Sequence, residues 1–308
     1  MSLQLPQRAP GRRWATARRA GLSASLGLGL VLLAGCSSES RGEWERLAMP
    51  EPITEQGEAT LGLWQGAWIA ALVTGAIVWG LMAWVVVAYR RRHEDEVPVQ
   101  TRYNLPLEIF YTIAPIMMVV VFFAHTIRVQ DVILDDSPPD NVVEVVGQKW
   151  SWTFNHGVGS PDLAANEDNT DLDFPYDEYA NVVGTLTDIP TLLLPLGETT
   201  RFNLHSPDVI HSFGVPGFLT KMDVIPGRVN SFQVTPQIEG TFKGKCFELC
   251  GAQHSRMLFD VKVVSPAEYD AYVASLVEAG DSAAAPLLGG DAARTQVGLD
   301  VTETEEGQ

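Results

Sequence analysis

Cys246-Phe247-Glu248-Leu249-Cys250-Gly251-Ala252-Gln253-His254-Ser255-Arg256-Met257 packs two thiols, an imidazole, a thioether and a carboxylate into one short run. A further histidine, His211, stands upstream in Ile210-His211-Ser212-Phe213. Thiolate and thioether are soft donors and imidazole suits copper, zinc, iron and nickel, so Cys, His and Met together favour copper. Without Cys246, the set His211, Cys250, His254 and Met257 is the two-His, one-Cys arrangement with a weak axial Met of a single-copper electron-transfer site. Cys246 is the informative addition. Two thiolates four residues apart on a loop that folds back can point at one spot, and each sulfur has lone pairs enough to bridge two metals. With two imidazoles, the Met257 thioether and the backbone carbonyl of Glu248, they would complete two three-coordinate coppers. Two other readings stand beside this one. A Cys246–Cys250 disulfide suits an exported domain but leaves His211, His254 and Met257 without a role. A zinc site would use two Cys and two His but not Met257.

Outward from the loop, the flanking sequence reads as all-β. Residues 141–146, 191–194, 200–204, 228–234 and 258–264 are short runs rich in Val, Ile, Phe and Leu, bounded by Pro, Gly and Asp. That spacing predicts a β-sandwich or barrel. Ser265-Pro266-Ala267-Glu268 is a capping box with Pro at the first helical position, so one helix is expected to about Glu278. Beyond Gly280 the chain is small, polar and acidic, and a disordered tail is expected over 280–308.

Toward the N-terminus the apolar residues are concentrated. Residues 61–88 carry no formal charge and exceed the ~20 residues that span a bilayer. Residues 109–127 form a second such stretch, with Pro115 inside it. The first ends in Tyr89-Arg90-Arg91-Arg92, which the positive-inside rule assigns to the cytoplasm. Everything after about Arg128 then lies outside. Arg8, Arg12, Arg13, Arg18 and Arg19, the apolar residues 22–33 and the tetrad Leu33-Ala34-Gly35-Cys36 read as an export signal. The tetrad resembles a bacterial lipoprotein cleavage site, with Cys36 as the lipidated first residue of the mature chain. Cys36 is also the one cysteine that the metal loop does not use.

Three separated motifs carry a resemblance. Val209-Ile210-His211-Ser212-Phe213-Gly214-Val215-Pro216, then Lys221-Met222-Asp223-Val224-Ile225-Pro226-Gly227-Arg228, then the Cys246 to Met257 loop occur in order. Together they are similar to subunit II of cytochrome c oxidase, over about residues 61–264, membrane hairpin included. The resemblance implies a two-helix transmembrane hairpin followed by a cupredoxin-like Greek-key domain outside the cytoplasm, in a multi-pass plasma-membrane protein. It implies two copper ions in a binuclear centre named CuA, held by His211, Cys246, the Glu248 carbonyl, Cys250, His254 and Met257. A magnesium ion shared with subunit I through the Glu248 carboxylate is also implied, and a hard oxygen suits it. Partners would be subunit I, other oxidase subunits and a cytochrome c or a cytochrome domain of a respiratory complex, with the lipid bilayer around the hairpin.

Within Gly147-Gln148-Lys149-Trp150-Ser151-Trp152, the resemblance makes Trp150 the electron acceptor facing cytochrome c. Glu108, at the start of the second span, matches a glutamate at the mouth of a proton pathway; a carboxylate at a helix N-terminus is its other reading. His205 reads as a packing or supporting residue, and His93 and His156 as solvent-exposed.

The layout expected is a signal over 1–35, an outer segment over 36–60, the hairpin over 61–127, the copper domain over 128–279 and the tail. An acidic insertion over about 155–190 holds Asp162, Glu167, Asp168, Asp171, Asp173, Asp177, Glu178 and Asp188 without Lys or Arg. The net charge of −17 at pH 7 favours cationic partners and disfavours nucleic acid. The resulting expectation is a subunit taking electrons from cytochrome c and passing them to haem in subunit I, for oxygen reduction coupled to proton pumping. The alternative is a membrane-anchored copper carrier outside an oxidase.

Overall fold

The computed structural model describes residues 38–93, 96–97, 100–161 and 175–290. Cys36 and the export signal, the acidic residues within 162–174 and the tail beyond 290 lie outside the described residues. Met1–Met49 and Pro50–Gln308 are separate compact units. The first contains α1 (Ser38–Glu45).

The second begins with two long helices, α2 (Glu55–Ala88) and α3 (Leu105–Ile133), both long and apolar enough to cross a membrane. Thr54 caps α2, its Oγ1 accepting from Gly57 N at 3.0 Å. The helix therefore starts earlier than its apolar run, because a cap and polar first turn carry no hydropathy signal. At 1.5 Å per residue α2 is about 51 Å long, more than the ~30 Å thickness of a bilayer's hydrocarbon core. Asn104 caps α3 by accepting from Leu107 N, while Asn104 N donates to Glu108 Oε1 at 3.0 Å. Glu108 thus closes a reciprocal cap at the start of its helix. Apolar side chains such as Trp79 and Phe110 stand 75% and 67% exposed. Helices so apolar on their outer surface need lipid or a partner subunit around them.

The residues just before α2 are stitched to the domain that follows α3. Ile53 N donates to Gly217 O and Gln237 N to Ile53 O, while Glu55 N donates to Thr235 O and Thr235 N to Gln56 Oε1. Ile53 itself is 2% exposed and lies in the main core with Phe218. The start of α2 and the β domain therefore share one side of the hairpin.

Eleven strands follow among the described residues: β1 (Asn141–Gln148), β2 (Ser151–Gly157), β3 (Tyr179–Val183), β4 (Thr191–Pro195), β5 (Thr200–His205), β6 (His211–Val215), β7 (Thr220–Val224), β8 (Asn230–Val234), β9 (Gly240–Cys246), β10 (Leu258–Val264) and β11 (Ser282–Ala283). Helix α4 (Pro266–Ala279) precedes β11, with Ser265 as its cap and Gly280 left-handed at its end. One sheet runs β11-β3-β2-β1-β5-β8 and the other β4-β10-β9-β6-β7. Most pairs are antiparallel, but β1–β5 and β4–β10 are parallel, so the chain crosses between sheets as a Greek-key sandwich does. The inward faces meet in an aromatic core where Phe213 stacks on Phe259 at 4.8 Å and Trp152 and Phe154 meet both edge-on.

The six-stranded sheet is covered on its outer face as well, which explains why all of β2 and the middle of β1 are buried. Tyr176 Oη accepts from Val142 N, and its ring lies where a side chain on Gly157 would stand. The acidic insertion is accordingly narrower than 155–190: residues 155–157 end β2 and 179–183 form β3. On this outer face the buried Glu144 meets His205 Nε2 at 2.6 Å and accepts from Asn203 Nδ2 at 2.7 Å. His205 is thus a packing residue with a carboxylate partner. Past Gly280, residues 281–290 lie against the sheet instead of forming a disordered tail.

His156 is not solvent-exposed as the sequence suggests; it is fully buried in β2. Its Nδ1 lies 3.2 Å from Tyr269 Oη on α4. Burial pushes its pKa down from 6.5 to about 4, so it is neutral when folded. The unfolded chain then binds the extra proton between those values. Stability is full above about pH 6.5 and declines as pH falls toward 4, by about 3 kcal/mol in all. Denaturation midpoints measured from pH 7 to pH 4 are expected to fall less in His156→Phe than in the parent chain.

Candidate metal centre

β6 and β9 pair antiparallel with Phe213 opposite Cys246, which brings His211 at the start of β6 beside Cys246 at the end of β9. The loop after Cys246 then folds back on itself. Cys246 N donates to Met257 O at 3.0 Å and Phe247 N to Ser212 O at 3.0 Å. Between these ties, Gly251 takes φ +119, and a 3-10 turn spans His254–Arg256.

One ligand atom each from His211, Cys246 and Cys250 lies within 4.8 Å of the others. The two sulfurs are free thiols 3.9 Å apart, and His211 Nδ1 is 3.9 Å from Cys246 Sγ. His254 Nδ1 and Met257 Sδ stand 3.5 Å and 3.7 Å from Cys250 Sγ. The Glu248 carbonyl is 3.2 Å from Cys246 Sγ, while the Glu248 side chain is exposed. The six candidate donors named from the sequence therefore lie together on one loop and one neighbouring strand end.

Asp208 was not picked out by the sequence reading. Its Oδ1 lies 2.8 Å from His211 Nε2, and its Oδ2 accepts from Lys149 N at 2.7 Å. If Nε2–H donates to that carboxylate, the tautomer leaves Nδ1 with its lone pair toward the sulfurs. The available signal was a carboxylate three residues before a candidate histidine ligand, the usual partner of a metal-bound imidazole. Burial opposes ionisation of Asp208, but hydrogen bonds from His211 and the Lys149 and Val209 amides hold its pKa below the usual carboxylate value.

The thiols test whether a cation fits. Burial is the largest single influence and works against the Cys246 thiolate, yet hydrogen bonding with His211 and with the backbone at Ser212 and Glu248, together with the His211 charge, outweighs it and holds the thiol below its ordinary pKa. Cys250 is pushed up to about 12, by burial first and then by the negative charge of Cys246. Two thiolates this close cannot both form unless a cation lies between them. A soft cation suits two sulfurs, two imidazoles and a thioether, so the donor chemistry fits copper.

Trp150 borders the same loop. It is half-buried, and its Nε1 donates to the Cys250 carbonyl at 3.1 Å. A side chain on Gly251 would meet this indole at 3.1 Å, so glycine is required both for the positive φ and for the approach. Trp152 is wholly buried in the core, beside the His211 ring.

Comparison with known proteins agrees with this geometry. A family model described as cytochrome c oxidase subunit II, periplasmic domain, matches residues 141–264. Probable cytochrome c oxidase subunit 2 of Streptomyces avermitilis is 47% identical over 285 residues, covering 84% of this chain and 87% of that protein. Cytochrome c oxidase subunit 2 of Mycobacterium tuberculosis is 34% identical over 325 residues, covering 91% and 88%. The solved periplasmic domain of subunit II from Bradyrhizobium japonicum is 25% identical, covers 46% of this chain and 96% of that one, and superposes with a TM-score of 0.36. With its sandwich, its thiol loop and relatives matched along most of their length, the chain belongs to the cytochrome c oxidase subunit II family.

Proposed function

We propose that this chain accepts electrons from cytochrome c at a binuclear copper centre and passes them to haem in subunit I, where oxygen is reduced to water with proton pumping. The observation that carries this reading is the convergence of Cys246, Cys250, His254, Met257 and the Glu248 carbonyl on one folded-back loop, with His211 beside it at the start of β6. Two copper ions held there would supply one-electron redox chemistry. As a subunit II, the chain is a membrane protein that works with other oxidase subunits, and its C-terminal domain lies outside the cytoplasm.

The chain's own part is to fix donors in place. His211 and Cys246 stand at the ends of paired strands, and the Cys246–Met257 backbone bond closes the loop, so the ligands have little freedom to reorganise. Asp208 anchors the His211 ring through Nε2. Trp150 connects the surface to the Cys250 carbonyl, a short path for an arriving electron. The exposed Glu248 carboxylate is free to give a hard oxygen to a magnesium ion shared with subunit I. Glu108, beside its helix cap, marks the cytoplasmic mouth of a proton path. Both apolar helices cross the plasma membrane as a hairpin, with residues 1–35 removed and Cys36 lipidated outside.

Asp208→Ala frees the imidazole to rotate, and copper affinity is expected to fall by roughly 10–100-fold, the usual cost of losing such a partner. Copper titration against a competing chelator measures it. The reading as a whole is tested by electron paramagnetic resonance of the copper-loaded full chain. Hyperfine splitting from one electron shared over two equivalent coppers supports it; a single-copper pattern, or no retained copper, overturns it.

A further inference from the structure

Residues 281–290 form a strap across the outer face of the six-stranded sheet. It begins as β11, paired with β3 at Ser282–Ala180 and Ala283–Tyr179, with Ser282 Oγ donating to Glu178 Oε1 at 2.7 Å. Farther on, Pro286 is buried and Leu287 exchanges two hydrogen bonds with the Asn155 side chain, at 2.8 Å and 3.3 Å. Asn155 also donates to Glu144 O, so the strap is bolted through β2 to β1.

Its far end reaches Gly289, at φ +85. A side chain there would stand 2.8 Å from Gln148 Oε1, 2.8 Å from Pro207 Cγ and 3.2 Å from Val146 Cγ1. Gly289 backbone thus fills the notch between Gln148 and Pro207. Those two residues directly precede Lys149 and Asp208, whose amide and carboxylate bond each other at 2.7 Å. From this joint one arm carries Asp208 to His211 and the other carries Trp150 to Cys250.

We infer that residues 281–290 are a positioning strap for the copper corner, with Gly289 as the positioning residue that holds segments 148–150 and 206–208 together. Among the described residues the strap makes no hydrogen bond to a candidate donor; it acts through Asp208 and Trp150. The inference rests on the copper reading for its purpose, but the contacts it describes exist without metal.

The test is hydrogen exchange of the full chain in detergent, without copper, comparing the parent with Gly289→Val and with a chain ended after Ala285. In both variants the amides of Lys149 and Val209 are expected to exchange at least about tenfold faster, with β9 and β10 unchanged. A chain ended after Gly290 is expected to match the parent. Unchanged exchange in both variants overturns the inference, as does a uniform rise across the domain or a loss already complete in the chain ended after Gly290. Copper-loaded Gly289→Val is further expected to show a shifted hyperfine pattern with the fold retained; a pattern identical to the parent's overturns the coupling to the metal corner. A chain that binds no copper yet loses protection at both segments upholds the strap and sinks only the oxidase reading.

Discussion

Replacing Cys246 by serine is expected to halve the copper content of the chain and to change its hyperfine pattern from a shared to a single-copper one. A serine hydroxyl is a hard, protonated donor and a poor substitute for a bridging thiolate. What remains, His211, Cys250, His254 and Met257, is a two-His, one-Cys set with a thioether, which can still hold one copper. The fold is expected to survive, because Cys246 closes the loop through its backbone amide to Met257, and that bond is untouched. In the assembled oxidase, oxygen uptake driven by cytochrome c is expected to collapse while the amount of assembled subunit stays the same. Copper analysis, resonance spectra and oxygen uptake on one preparation decide the matter. A variant that keeps two coppers and the shared pattern sinks the assignment of Cys246 as a bridge.

The second large effect lies in the core. Trp152 is wholly buried, and its indole meets Phe213 at 5.5 Å, Phe259 at 5.4 Å and His211 at 6.2 Å between ring centroids. Its Nε1 also points at the Met257 carbonyl, 3.4 Å away. Trp152→Ala removes the wall behind one ligand and the support beneath another. Large-to-small changes at such sites cost about 3–5 kcal/mol, because the cavity closes only in part. The denaturant midpoint of the full chain is expected to drop accordingly, with the slope of the transition preserved. Trp152→Phe keeps most of the cluster and is expected to lose less. Equal loss in both variants would mean that the indole's reach toward His211 and Met257 matters and the buried area does not.

Much of this was legible in the residues. The cluster of soft donor side chains was, because such donors at close spacing have few other uses, and the two long apolar stretches were, because length and hydropathy alone make them candidates to span a membrane. Strands such as β5 and β10 showed as short runs rich in Val, Ile, Phe and Leu between turn residues. β2 did not: Ser151-Trp152-Thr153-Phe154-Asn155-His156-Gly157 mixes polar and apolar residues yet is buried throughout. Its polar residues are covered by parts of the chain remote in sequence, Leu287 over Asn155 and Tyr269 beside His156. No local pattern announces a cover that arrives from more than a hundred positions away. The same reason hid the strap, whose small residues look like a loose tail because its hydrogen bonds belong to partners elsewhere. Asp208 was hidden differently. One carboxylate among many in an acidic chain acquires a role only when the turn after β5 aims it at His211.

Ile53 leaves the ribosome ahead of both apolar helices, yet its seat lies between Gly217 and Gln237, which are synthesised long afterward. At 5–20 residues per second the wait is on the order of ten seconds or more. During that interval the segment waits without its partners. Closure of this seat is therefore a late event that joins the first-made part of the unit to segments made after both helices. A shortened chain beginning after α3 would be born with that seat open above Phe218, and its thiol loop would rest on a domain missing a piece made before either long helix.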